Sequence, residues 1–506
     1  EEDGVIVAFS VYFMLIILMV GAIGVDVMRY ESQRSRLQNA LDQAVLAAAD
    51  LDQTRPPAEV VADYFDKAGL EHAELLSTSV EGGGNARRVS ATAREVIPTQ
   101  LTNLLGIAQL TAPAASAAQE AVGSMEVSLV LDVSGSMSGS RISNLRPAAI
   151  AFVERMLSYS SDTSISVIPY AAQVSAGEDL LSQLRINYPQ NFSHCVNFEL
   201  SDFSTTEITP AADGARIYEQ SAHIDFQTRS EDSSGSGLRD NRGARPTCST
   251  KESSRITALT NNIVTLREKI NTLQPGSTTS TDIGIKWGVA LLDPSMQSAV
   301  TNLIAANTIS TQFQGLPRDY NDSTNIKILV IMSDGSNITH AKLRPDYRNR
   351  YSDVYYNPVT DIYGLLTNNK FRQQSSSGNT RIKTNGTSNT IPEDFVRLTY
   401  EGLMAQASIE WVKDIIYKNV AGVSFPPIFE EISGIAKDER MQSICTAAKQ
   451  RGIVIYTIAF EAPERGIRQL EKCASSPSHF FDVEGLEIND AFAAIAQSTT
   501  QLRLVQ

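Results

Sequence analysis

The chain predicts an α/β fold, a mainly parallel sheet covered by helices on both faces, behind a single membrane-spanning helix. Three observations carry this expectation. Apolar runs of strand length alternate with stretches of helix length between Ser124 and Gln506. Acidic and hydroxyl residues cluster just after two of those runs. Gly4 to Val25 contains no charged residue at all.

The N-terminal run includes Phe9, Tyr12, Phe13, Leu15, Ile16, Ile17, Leu18 and Met19. As a helix rising about 1.5 Å per residue it spans about 33 Å, enough for the hydrocarbon core of a bilayer. A core helix of that length would show a polar face, and a signal peptide has a shorter apolar region followed by a small-residue cleavage site. The run therefore reads as a retained anchor. Beyond it, Leu37, Leu41, Ala44, Val45 and Ala48 recur at helical spacing until Pro56-Pro57 interrupts. That stretch is either a solvated stalk or a helix packed on a partner or on the next domain.

The expected layout has three parts. Residues 1–55 hold the transmembrane helix and an amphipathic helical stalk, 56–123 a small extracytoplasmic α+β domain, and 124–506 a large α/β domain. Strands are expected at Val127–Leu131, Ser164–Ile168, Ile328–Met332, Ile453–Ala459 and Phe480–Val483. Helices are expected at Asn144–Leu157, Ser254–Leu273, Asp282–Leu292, Arg440–Arg451 and Glu487–Gln501. Strands alternating with helices imply parallel pairing with both sheet faces covered. A domain of this kind needs roughly 200 residues, so the surplus is assigned to insertions near 183–251 and 339–394. The first holds the polar stretch Ser230 to Gly237, and the second is rich in Asn, Tyr, Ser and Thr. They are read either as specificity loops or as tolerated surface loops.

Asp132-Val-Ser134-Gly-Ser136 follows the run Val127 to Leu131 and places three oxygen ligands at the end of a buried strand. Mg²⁺ takes about six oxygens and keeps several waters, so one carboxylate and two hydroxyls make a partial shell. A second run, Ile326 to Met332, ends in Ser333-Asp334-Gly335. Between them lies the hydroxyl-rich loop Ser277-Thr278-Thr279-Ser280-Thr281. Ligands of open α/β sheets bind at the carboxyl ends of strands, where loops distant in sequence converge.

These three loops resemble the metal-ion-dependent adhesion site of the von Willebrand factor type A domain, built from an Asp-x-Ser-x-Ser loop, a Thr loop and an Asp-Gly loop. The resemblance implies a Rossmann-like fold and carries a metal role to Asp132, Ser134, Ser136, Thr279 and Asp334. The ion implied is Mg²⁺, with Mn²⁺ or Ca²⁺ as alternatives. Thr279 is selected by counting back from Gly284; Thr278 and Thr281 remain alternatives, because this chain lacks the Gly-Gly-Thr spelling common in that family. The resemblance further implies direct ligation mainly by hydroxyls and water, which leaves the ion able to accept an Asp or Glu from a partner protein.

The N-terminal stretch, from Asp3-Gly4 through Val25-Asp26-Val27-Met28-Arg29-Tyr30 to Ala47-Ala48-Ala49, resembles TadG-like proteins of Flp (tight adherence) pilus assembly. Arg88 to Ala121 fits the small extracytoplasmic region of the same family. Related prepilin-like proteins carry a Glu five residues after the Gly that is cut; here Phe9 stands there, so the resemblance does not carry processing over. Together the two resemblances imply a bacterial inner-membrane protein, single-pass, with its bulk in the periplasm or reaching the cell surface. They imply a role in pilus assembly and adhesion, with a pilus or secretion-system component as the acidic partner. The alternative is a structural envelope tether of the secretion channel whose metal site does not function.

The four cysteines are Cys195 and Cys248 in the first insertion and Cys445 and Cys473 around the late strand. None has metal-binding Cys-x-x-Cys spacing, and an even count behind an anchor suggests two local disulfides in an oxidising compartment. A net charge of −14 without a basic stripe excludes a nucleic-acid surface. His72, His194, His223, His340 and His479 are scattered, and no nucleophile elbow or phosphate loop occurs. The chain is not expected to be an enzyme.

Overall fold

The structure is a computed structural model that describes residues 2–50, 53–70, 72–81, 86–121, 124–159, 162–225, 247–322, 324–374 and 390–499. The chain forms two compact units, Glu1–Gly123 and Ser124–Thr499.

In the first unit, helix α1 (Glu2–Ala49) is one continuous element. Its N-terminal half exposes Phe9, Tyr12, Leu15, Ile17, Leu18 and Met28. Among the described residues it is the one helix long and apolar enough to cross a membrane. Farther along, the 3.6-residue spacing places Leu37, Leu41, Ala44, Val45 and Ala48 on one fully buried stripe. The stripe packs against α2 (Pro57–Lys67), through Val60, Val61 and Phe65, and against strands β2 (Ala86–Pro98) and β3 (Gln109–Ala121), through Val89, Ala91, Ala93, Ala114 and Ala118. With β1 (Ala73–Glu81) these strands make an antiparallel sheet in the order β1-β2-β3. The stretch after the apolar run is thus packed on α2 and the three-stranded sheet rather than solvated, and residues on both sides of position 55 share one core.

Asp26, buried on α1, fixes the helix to the β2–β3 connection. Its carboxylate accepts hydrogen bonds from the backbone of Gln100 (3.0 Å), Leu101 (3.0 Å) and Thr102 (2.7 Å), and from the Thr102 hydroxyl (2.8 Å). Those bonds, the backbone donors of Thr102 and Gln100 foremost, hold the carboxyl well below the usual carboxylate range. A depressed folded-state pKa gives stability that is present above the unfolded value and lost as pH falls. Asp26→Asn should therefore lower the melting temperature of the detergent-solubilised chain at pH 7, and the difference from wild type should shrink below about pH 4.

The second unit is built on a six-stranded sheet. Its strands are β4 (Ser124–Asp132), β5 (Thr163–Tyr170), β6 (Thr257–Thr260), β7 (Asn325–Ser333), β10 (Val454–Phe460) and β11 (Phe480–Val483). The order is β11-β10-β7-β4-β5-β6, parallel except for β6, which runs antiparallel to β5. Alternate residues of each strand serve two cores. Val127, Leu129 and Leu131 face α3 (Ser140–Tyr159), α4 (Ile263–Asn271) and α8 (Ile488–Ser498). Val130, Leu329 and Ile331 face α5 (Thr281–Ala290), α6 (Gly434–Gln450) and α7 (Glu464–Cys473). This is the mainly parallel, doubly wound sheet that the sequence predicts, with one antiparallel edge strand.

Helix α5 lies close on the sheet because Gly284 and Gly288, one turn apart, have no side chain. A Cβ on Gly288 would stand 2.6 Å from a methyl of Val130 and 2.7 Å from one of Leu329. Gly288→Ala should overpack this face and lower stability by about 1–3 kcal/mol in urea unfolding, despite alanine's better helix propensity.

Two expectations are corrected. The helix expected from Ser254 to Leu273 begins instead with strand β6, and α4 starts at Ile263, capped by the Asn262 side chain, which accepts from the Val264 and Thr265 amides. The free edge of β5 captures Thr257–Thr260, so tertiary pairing overrides local helix preference. Helix α6 starts at Gly434 rather than Arg440 because Ser433 caps it, its hydroxyl accepting from the Ala436 amide at 3.2 Å.

The described parts of both insertions are folded. In the first, short strands at Ile186–Asn187, Tyr218–Gln220 and Val196–Asn197 form a small sheet, and Cys195 pairs with Cys248. Ser230 to Gly237 lies outside the described residues. Lys286 of α5 ties this insertion down by donating to the carbonyls of Thr205 and Glu207, both at 2.8 Å. In the second, four antiparallel strands between Tyr351 and Thr399 enclose Tyr363, Leu365, Trp411 and Val412. Strand β8 (His340–Leu343) pairs with β9 (Phe429–Ile432), so this excursion continues past Asp394 to the start of α6. Cys445 pairs with Cys473, linking α6 to α7. The two disulfides close loops of 53 and 28 residues, each contributing about 4 kcal/mol on the chain-entropy account.

Candidate metal centre

The carboxyl end of β4 is a switch point. The chain leaves β4 for β5 on one side and returns to β7 on the other, and α3 and α5 cover opposite faces. Such a point opens a crevice between the first turns of helices. The loops after β4 and β7, with the loop before α5, meet there. Their backbones are stitched together: Gly135 N donates to Ser277 O (2.9 Å), Gly276 N to Val133 O (2.8 Å) and Ile338 N to Thr279 O (3.1 Å).

The five residues singled out in the sequence converge in this crevice. Asp132 is fully buried; its Oδ1 accepts from the Ser134 amide (2.8 Å), and its Oδ2 from the hydroxyls of Ser333 (2.8 Å) and Tyr170 (3.2 Å). Ser134 Oγ and Ser136 Oγ are 3.0 Å apart. Ser136 Oγ donates to Asp334 Oδ1 at 2.8 Å, joining the loops after β4 and β7. A Cβ built on Gly335 would lie 3.5 Å from Thr279 Oγ1 and 3.9 Å from Ser136 Oγ, so both hydroxyls open onto the space that this glycine leaves. The Thr281 hydroxyl lies behind, 3.4 Å from Tyr170 OH. Asp132, Ser134, Thr279 and Asp334 are buried, whereas Ser136 is exposed and marks the mouth of the crevice.

The donor set is all oxygen, two carboxylates and three hydroxyls, which fits a hard cation. Among the described residues there is no cluster of three or more His, Cys, Asp or Glu side chains placed to hold a metal; this set is of another kind, short in carboxylates. Its electrostatics point the same way. Burial, and then the neighbouring Asp334 carboxylate, push the Asp132 carboxyl up to about 6, against the pull of the Ser134 and Ser333 hydrogen bonds. Two buried acids at one crevice are a charge arrangement that a cation relieves.

Several supporting residues escaped sequence reasoning. Tyr170, at the end of β5, braces Asp132. Arg141, in the first turn of α3, donates to Asp334 Oδ2 at 2.6 Å and to Glu461 Oε2 at 2.8 Å. Lys437 of α6, fully buried, donates to Thr279 O (3.2 Å), to Ser280 Oγ (2.6 Å) and to Ile338 O. Asn337 accepts from the Thr281 amide and donates to Asp438, both within 2.9 Å. Only Arg141, close to Ser136 in the chain, is within reach of a local reading.

Comparison with known proteins adds a family at one end of the chain. Residues 4–51 match the Tad family, described as "Putative Flp pilus-assembly TadE/G-like". No curated protein matches the chain significantly. Among solved structures, the chain is similar to the vWF domain of the type V pili tip protein Mfa5 from Porphyromonas gingivalis, with 16% identity, a TM-score of 0.32, and coverage of 76% of this chain and 98% of that one. It is similar to the pilus adhesin SpaC from Lactobacillus rhamnosus GG, with 10% identity, a TM-score of 0.31, and coverage of 85% of this chain but 34% of that one. A third is proximal thread matrix protein 1 from the mussel byssus with zinc-occupied MIDAS motif, with 8% identity, a TM-score of 0.26, and coverage of 74% of this chain and 46% of that one. The chain thus spans about a third of SpaC and under half of the mussel protein.

Proposed function

We propose that this chain is a membrane-anchored component of the Flp/Tad pilus assembly machinery that binds a protein partner through a metal-ion-dependent adhesion site, supporting pilus assembly and adhesion. The match over residues 4–51 supports a pilus-related role and protein partners in that machinery. The observation that carries the metal reading is the convergence of Asp132, Ser134, Ser136, Thr279 and Asp334 from three loops into one crevice with an exposed mouth.

In this reading the hydroxyls of Ser134, Ser136 and Thr279 hold Mg²⁺, or Mn²⁺ or Ca²⁺, while Asp334 fixes the Ser136 hydroxyl, Asp132 fixes the Ser134 backbone, and both balance charge. The cation, when bound, supplies a Lewis-acidic position for an incoming carboxylate. Because direct ligation falls mainly to neutral oxygens, the chain leaves room for a partner's Asp or Glu. The chemistry is binding, not turnover. Helix α1 anchors the protein in the bacterial inner membrane, and the bulk lies in the periplasm, where Cys195–Cys248 and Cys445–Cys473 would persist.

One observation favours a second reading, a structural envelope tether with a non-functional metal site: the Arg141 guanidinium already neutralises Asp334. Titration calorimetry of the full chain in detergent micelles with Mg²⁺ and Mn²⁺ separates the two. Saturable binding, reversed by chelator, is expected for the adhesion site. No heat from well-folded protein would move the assignment to the tether.

A further inference from the structure

Arg141 stands in a place that local physics disfavours. It lies in the first turn of α3, where the helix dipole repels cations and attracts acids, and that turn has no acidic residue. Its partner Glu461 follows β10 with φ +51°, in the left-handed region that side chains other than glycine rarely adopt. Both departures serve one arrangement. The guanidinium is shared, with Nη1 on Asp334 Oδ2 at 2.6 Å, Nε on Glu461 Oε2 at 2.8 Å and Nη2 on the Glu461 carbonyl at 3.3 Å. Glu461 is itself fixed, since its Oε1 accepts from the Gly485 amide at 3.2 Å and its backbone amide donates to Val483 O at 2.9 Å. Asp334 is fully buried and has both oxygens committed, one to Ser136 and one to Arg141.

A cation entering the crevice therefore meets a guanidinium held a few ångströms away in a partly buried setting, where unit charges interact strongly. We propose that the Arg141–Glu461 pair sets the cation affinity of the site: Arg141 weakens binding by holding positive charge on Asp334, and Glu461 restores part of it by drawing that charge aside. The inference rests on the metal reading above. The arrangement also limits the negative charge of the loaded site, so that an acidic partner is not repelled. Arg141 is in this sense a positioning residue that acts on the cation through Asp334.

The test is Mn²⁺ titration calorimetry on the full chain in detergent micelles, stripped with chelator and dialysed, with melting curves alongside. Arg141→Gln is expected to bind Mn²⁺ about tenfold more tightly than wild type, and Glu461→Gln several-fold more weakly. Arg141→Lys, which keeps the charge but not the guanidinium fork, should bind no more tightly than wild type. A merely structural pair would shift all three variants toward weaker binding. Equal or weaker binding by a well-folded Arg141→Gln overturns the inference while leaving the metal site intact. Should Arg141→Gln melt early, the double variant Arg141→Gln/Glu461→Gln decides: tighter Mn²⁺ binding than Glu461→Gln alone supports the inference, and equal or weaker binding overturns it. Absence of Mn²⁺ binding in wild type and all variants overturns the metal reading and this inference together.

Discussion

Replacement of Asp132 by Asn or Ala is expected to reduce Mn²⁺ or Mg²⁺ affinity by about 10- to 100-fold, the largest binding effect available from one side chain here. Asp132 is the hub of the crevice: its carboxylate receives the Ser134 amide, the Ser333 hydroxyl and the Tyr170 hydroxyl, which belong to three neighbouring strand ends. Asn keeps the shape of the hub and removes the charge, so loss of binding by a folded Asp132→Asn isolates the electrostatic role. The same residue is expected to make binding pH-dependent. Its carboxyl is pushed up to about 6 by burial and by Asp334, so protons compete with the cation and wild-type affinity should fall as pH drops through about 6.

The linkage to stability has the opposite sign from that of Asp26. A carboxyl whose folded pKa lies above its unfolded value near 3.8 favours the folded state when protonated. Metal-free protein should therefore gain stability from this group as pH falls from about 6 toward 4, and Asp132→Asn should lack that share. Asp282, pushed up to about 6 by its own burial, contributes in the same direction and is retained in the variant. Urea unfolding at pH 7 and pH 5 with and without Mn²⁺ reads all of this. Unchanged affinity across that pH range would count against Asp132 as the charge that recruits the cation.

Lys437→Met is expected to have the largest effect on stability, about 3–5 kcal/mol in urea unfolding of the full chain. The ammonium is buried between α6 and the loop before α5, and burial lowers its pKa to about 8. It satisfies Thr279 O, Ser280 Oγ and Ile338 O, acceptors on two segments otherwise joined by the Ile338 N to Thr279 O and Thr281 N to Asn337 Oδ1 bonds. Its charge also offsets Asp282, whose other cation, Arg440, stands 3.8 Å away. Removing it leaves Ser280 Oγ, Ile338 O and the Asp282 carboxylate poorly compensated inside the protein, while Thr279 O keeps only the Ile338 amide. Because Thr279 is one of the residues braced, cation affinity should fall with stability. A loss below about 1 kcal/mol would show that water replaces the ammonium without difficulty.

The central part of the fold was legible because its signals are local. Val127–Leu131, Ile328–Met332 and the late strand are apolar on both faces, which only a sheet covered on both sides accommodates. The exposed apolar run of α1 and its later Leu37–Ala48 stripe were likewise written in charge and spacing. Strand β6 was not, because Thr257–Thr260 becomes a strand only when the edge of β5 is there to pair with it. The second insertion was cut short at Asp394, because the pairing of β8 with β9 spans nearly ninety residues and leaves no local mark.

For the candidate centre the division is similar. By itself the sequence determined the oxygen-rich loops around Asp132 and Asp334, since hydroxyls and carboxylates directly after a buried strand have one end of a sheet to occupy. Only the tertiary structure decided that the Thr279 hydroxyl faces the space beside Gly335 while that of Thr281 turns to Tyr170, and that Arg141, Glu461 and Lys437 hold the surrounding charges. The physical reason is range. Periodicity and turn chemistry act over a few residues and are printed in the chain, whereas a buried charge is fixed by whichever groups, 157 to 320 positions away, share its low-dielectric surroundings.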